Sequence, residues 1–189
     1  MSNMNDNPLV HGARGQFGRK FVYRKRGNDT HLVRMPSVNK KRKRSAEEKA
    51  RSARFKLAVL FAKGAIKSQT LKAQYDLMAP HNGNGFNMAI RDFMTPPTVE
   101  LIDAVGYNGT AGSIISIIAE DDFRVIAAVV TIRTAAGDLL EKGHAILDPM
   151  NLAKWDYTAT QVNPASAGSI ISVVVRDVPG NTASKEITI

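Results

Sequence analysis

The feature that most constrains this chain is a near-repeat. AGSIISIIAEDDF (residues 111–123) and AGSIISVVVRDVPGN (167–181) open with the same six residues, 56 positions apart. Each follows a glycine with a run of Ile and Val, whose branched side chains fit a pleated strand better than a helix. Two copies at that interval are too few for a solenoid. They read as equivalent strands of one β-sandwich, so the C-terminal half is expected to be all-β.

VIAAVVTIRT, a turn at Gly137-Asp138, LLEKGHAIL and WDYTAT lie between the copies, and Thr182 to Ile189 closes the chain as a last strand. About seven short strands separated by turn signals are the pattern of an immunoglobulin-like sandwich. The tail VVVRDVPGNTASKEITI resembles the final hairpin of bacterial Ig-like domains, whose penultimate strand runs into Asp-x-x-Gly-Asn. Asp177, Gly180 and Asn181 supply those residues here. Asp and Asn side chains bond nearby amides and Gly accepts positive φ, so the motif makes physical sense as a turn. The resemblance covers residues 97–189 and implies a fold. It says little about function, because this sandwich serves many.

The front half differs in charge and pattern. Residues 1–56 hold 16 Lys/Arg against 4 Asp/Glu, whereas residues 97–189 hold 6 against 11. Residues 1–16 are polar and Gly/Asn-rich and read as a mobile arm. Phe21 and Tyr23 alternate with polar residues, RGND (26–29) is turn chemistry, and Leu32 to Met35 resumes an apolar segment before Pro36. That predicts a β-hairpin, which alone is marginal in water and must lean on something else. Ser45-Ala46-Glu47-Glu48 is a capping box. Ala46, Ala50, Ala53, Leu57, Leu60, Phe61 and Gly64 follow at helical spacing, predicting a helix over 46–66 with one end buried. Shorter helices are expected at 70–79 and 85–94, and Pro96-Pro97 then breaks the chain. The fold class is thus α+β in three parts: a basic arm with hairpin (1–44), a helical segment (45–96) and the sandwich (97–189).

GRKFVYRKRGNDTHLVRMP with KRSAEEKARSARFKLAVLFAKGA resembles the N-terminal region of uncharacterised, phage-associated Bacteroidota proteins. Their outline is Gly-x-x-Gly, a short basic hairpin, Pro, and a helix containing Arg-x-x-Phe-x-x-Ala. Gly15, Gly18, Pro36, Arg51, Arg54, Phe55 and Ala58 fit it. The resemblance implies no activity, only a setting in a phage or phage-like assembly.

No enzyme is expected. The chain has no cysteine, hence no disulfide or thiolate metal site. His11, His31, His81 and His144 sit at no metal-ligand spacing, and neither a Gly-x-Ser-x-Gly elbow nor a Walker loop occurs. The GxxGxxG run at Gly12, Gly15 and Gly18 follows no strand and reads as part of the arm. Glu120-Asp121-Asp122 with Asp177 could ligate calcium, but a solvated inter-strand loop is the reading preferred, and neither metal nor cofactor is expected. His144 reads as a half-exposed strand residue and Trp155 as core.

The cations are the functional candidates: Arg14, Arg19, Lys20, Arg24, Lys25, Arg26, Arg34, and the run Lys40, Lys41, Arg42, Lys43 and Arg44. Five consecutive cations at a helix N-terminus oppose the helix dipole, so a polyanion is expected there. Sequence-tolerant nucleic-acid binding is favoured over docking on an acidic neighbouring subunit and over a merely solvated flank. Phe17, Phe21 and Tyr23, interleaved with the cations, could stack on unpaired bases. The expected function is a non-enzymatic structural or assembly protein, part of a phage or phage-like particle. The alternative is a cell-surface or adhesion-type Ig-like interaction module. MSNMNDNPLV has no export-signal pattern and no apolar run reaches a membrane span, so a cytoplasmic or virion location is expected.

Overall fold

A computed structural model describes residues 2–3, 7–37, 42–81 and 83–189. Contacts group the chain into two compact units, residues 1–57 with 63–88, and residues 58–62 with 89–189.

In the first unit the expected hairpin forms from β3 (Phe21–Arg26) and β4 (Asp29–Arg34), joined at Gly27-Asn28, with Gly27 at φ +59°. Positive φ at this position is why a glycine serves the tight turn. The lead-in differs from the expected mobile arm. β1 (Ser2–Asn3) pairs with Leu32 and His31, and β2 (Gly15–Phe17) pairs with Tyr23 to Phe21, giving a four-stranded antiparallel sheet in the order β1-β4-β3-β2. The physical reason is the one that makes a lone hairpin marginal: added strands satisfy edge amides and carbonyls. The Gly12 amide also donates to the hydroxyl of buried Thr30 at 2.9 Å.

Helix α1 (Ala46–Ala65) starts at the expected capping box. Glu48 N–H donates to Ser45 Oγ at 3.1 Å, and Ser45 N–H donates to Glu48 Oε2 at 3.0 Å. Arg42 pairs with Glu48, so one cation of the run finds an anion at the helix start. Lys40 and Lys41 lie outside the described residues. The C-terminal end of α1 is buried as expected, but through Ala58, Ala62 and Ala65, whereas Leu57 and Leu60 are 56% and 64% exposed. Helical spacing marks a stripe without saying which of two adjacent stripes is covered. α2 (Gln69–Met78) is N-capped by Ser68 and α3 (Gly85–Met94) follows. Asp76 Oδ1 accepts from the Gly85 amide at 2.6 Å while Lys72 donates to Oδ2 at 2.7 Å. The Lys72 ammonium, then the Gly85 amide, hold this carboxyl below its ordinary value.

The second unit is a β-sandwich of eight strands. These are β5 (Thr98–Asp103), β6 (Ile114–Glu120), β7 (Val125–Arg133), β8 (Leu139–His144), β9 (Ile146–Leu147), β10 (Lys154–Thr158), β11 (Ile170–Asp177) and β12 (Thr182–Thr188). One antiparallel sheet has the order β5-β6-β10-β9 and the other β12-β11-β7-β8. The near-copies become interior strands of opposite sheets. Ile115, Ile117 and Ala119 of β6 and Ile171, Val173 and Val175 of β11, matched position for position in the repeat, are all buried in one core. Ser113 and Ser169, which precede the two strands, are buried as well. Alternation of inward and outward residues does this directly, since one face of each strand meets the other sheet. Among the described residues, no helix is long and apolar enough to cross a membrane.

Candidate functional site

Strand register decides which side chains share a face, because residues opposite one another on neighbouring strands point the same way. Phe17 pairs with Phe21, Tyr23 with Leu32, and Phe21 with Arg34. One face of the N-terminal sheet therefore carries Phe17, Phe21, Tyr23, Lys25 and Arg34 together. Phe17 is 57% and Phe21 40% exposed, and the Phe17 and Tyr23 rings lie 5.6 Å apart, tilted by 58°. Arg24 and Arg26 alternate to the opposite face with Val22, and His31 and Asp29 stand across from them on β4.

Arg14, Arg19, Lys20, Arg24, Lys25, Arg26, Arg34, Arg42, Lys43 and Arg44 are all exposed. Register thus gathers two of these candidates, Lys25 and Arg34, beside the rings and separates Arg24 and Arg26 from them. The alternation of Phe21 and Tyr23 was readable in the sequence. Phe17 was visible only as an interleaved aromatic, since β2 carries no strand signal of its own.

In the sandwich unit the acidic residues divide differently from the expected set. Asp122 is taken by Arg91, whose Nε and Nη2 donate to it at 2.9 and 2.6 Å. In its place Asp92 of α3 joins Asp121 and Asp177, with a carboxylate oxygen of each within 4.8 Å of the others. Such hard oxygens suit calcium or magnesium. The evident work of Asp121 and Asp177, though, is local, and Asp121 Oδ2 accepts from the Phe123 and Arg124 amides. Asp177 Oδ1 accepts from the Gly180 amide at 2.8 Å and Oδ2 from Asn181 Nδ2 at 2.7 Å, closing the β11–β12 turn. Burial pushes the Asp177 carboxyl above its ordinary value, against the bonds from Asn181 and Gly180, and the neighbouring Asp121 adds to the rise. Asp92 sits in the last turn of α3 with no motif around it, so no sequence signal pointed to it.

Elsewhere in the core, Glu141 Oε2 accepts from Tyr157 Oη at 3.0 Å and from the Thr160 hydroxyl at 2.8 Å. Burial, reinforced by that carboxylate, pushes the Tyr157 phenol up to about 12. Trp155 is 5% exposed, a core residue as expected, and His144 is exposed on β8. His144 lines an open concavity of about 530 Å3 with Val129, Thr131, Lys142, Gly143 and Val174.

No protein-family model matches the chain, and no curated protein matches it. Among solved structures, CopC from Methylosinus trichosporium OB3b is similar at 12% identity and a TM-score of 0.36, covering 48% of this chain and 87% of that one. A likeness at that score carries no argument. The β-sandwich stands on the two sheets and their shared core.

Proposed function

We propose that this chain is a non-enzymatic assembly protein, of a phage or phage-like particle, whose basic N-terminal unit holds nucleic acid without reading its sequence. The observation that carries this reading is the exposure of every described candidate cation of residues 14–44, with Arg24, Lys25, Arg26 and Arg34 on the strands of a folded antiparallel sheet. Cations that neutralise phosphates release counterions, a gain indifferent to base sequence. The sandwich, with its excess of acids, is not expected to bind the polyanion. We assign it to the immunoglobulin-like class. Its strand order, β5-β6-β10-β9 against β12-β11-β7-β8, follows that class when β8 is the extra strand beside the β7-β11-β12 sheet.

The test is the salt dependence of binding by the full chain. If about five phosphates are neutralised, log affinity falls against log salt with a slope near about −4.5. Replacing Lys40, Lys41, Arg42, Lys43 and Arg44 by Gln should flatten that slope and weaken all sequences alike. Binding to neither DNA nor RNA at low salt, with an acidic protein bound instead, would replace this reading by a docking one.

A further inference from the structure

The cations alone attract any polyanion, single- or double-stranded. The sheet face that bears Lys25 and Arg34 carries something phosphates have no use for, namely two exposed phenylalanines and a tyrosine. Phe17 and Phe21 are direct cross-strand partners, and Tyr23 stands diagonal to Phe17 with its ring 5.6 Å away. Apolar rings at 57% and 40% exposure are costly to leave in water unless a partner covers them. Arg34 lies directly opposite Phe21, so the two side chains leave the same face of the sheet.

We infer that this face is a stacking platform for single-stranded nucleic acid, with Phe17, Phe21 and Tyr23 against unpaired bases and Lys25 and Arg34 on the flanking phosphates. The inference rests on the proposed polyanion reading and narrows it. A base inside a duplex already stacks on its neighbours and offers no face to a side chain, whereas an unpaired base offers one. A flat sheet face is the geometry on which successive bases can lie, and stacking tolerates any base because each has a π-face. The charge on this face fits a nucleic acid strand. An acidic protein would satisfy Lys25 and Arg34 but gives no reason for flat aromatic rings between them.

The experiment compares a labelled single strand of about 15 nucleotides with the duplex of the same length, on the full chain at one salt concentration. The single strand is expected to bind roughly tenfold more tightly. Phe17→Leu with Phe21→Leu, which keeps apolar bulk but removes the rings, should abolish that preference by weakening the single strand to the affinity of the duplex. Lys25→Gln with Arg34→Gln should weaken both substrates. Far-ultraviolet circular dichroism checks that the variants keep their strands, and the wild-type comparison needs no variant. Equal affinity for single strand and duplex overturns the stacking inference and leaves the polyanion reading standing. Binding of neither, or of an acidic protein only, overturns both.

Discussion

Asn181 Nδ2 donates to Asp177 Oδ2 at 2.7 Å, and the same nitrogen lies 3.2 Å from the Phe93 carbonyl and 3.4 Å from that of Asp92. A turn between the last two strands is thereby tied to the final residues of α3, whose carbonyls have no partner further along the helix. Asn181→Ala should destabilise the sandwich by about 1–3 kcal/mol, since it strips a donor from a buried carboxylate and from helix-end carbonyls together. Trp155 is the single tryptophan, so denaturation followed by its emission reports this unit. A change of a few tenths of a kcal/mol or less would sink the idea.

Asp177 also sets a pH dependence. Its carboxyl is raised in the folded state, first by burial, so the native chain holds that proton more tightly than the unfolded chain. Its contribution to stability is full below the ordinary value of 3.8 and is lost as pH rises through the folded value. Asp156 works in the opposite sense. The Ser116 hydroxyl, then Lys154, hold its carboxyl down, so its contribution is lost on acidification. The comparison that isolates Asp177 is wild type against Asp177→Asn. Wild-type stability should rise relative to the variant as pH falls from about 7 toward about 4. A flat difference across that window counts against the assignment.

Trp155 is packed among the core residues of both sheets. Trp155→Ala should cost about 3–5 kcal/mol. Trp155→Phe should cost clearly less, because the phenyl ring keeps much of the buried bulk and the indole N–H donates to no group among the described residues. Native emission at the wavelength of free indole would show an exposed ring and remove the basis for both figures.

A fragment spanning residues 97–189 contains all eight strands and both sheets of the sandwich. It should melt cooperatively with β-type circular dichroism. A fragment spanning 85–189 restores α3, with the carbonyls that Asn181 reaches and Phe93, whose ring lies 5.7 Å from that of Phe61 in the intact chain. The longer fragment should be more stable by about 1 kcal/mol. Identical melting curves would show that the Asn181 link contributes nothing measurable.

Local chemistry was legible in the residues themselves. The capping box at Ser45 and Glu48, the turn from Asp177 to Asn181, the hairpin at Gly27 and the inward residues of β6 and β11 each depend on neighbours a few positions away. Hydrogen bonds of that reach and a period of two are written directly into the order of side chains. Tertiary structure decided the rest. It paired Phe17 with Phe21, placed the two halves of the repeat in opposite sheets, gave Asp122 to Arg91, and brought Asp92 beside Asp121 and Asp177. It also covered the alanine row of α1 and left Leu57 and Leu60 outside. Strand register and helix facing are set by which distant surfaces meet, and a repeating pattern along one segment carries no record of the partner it will meet.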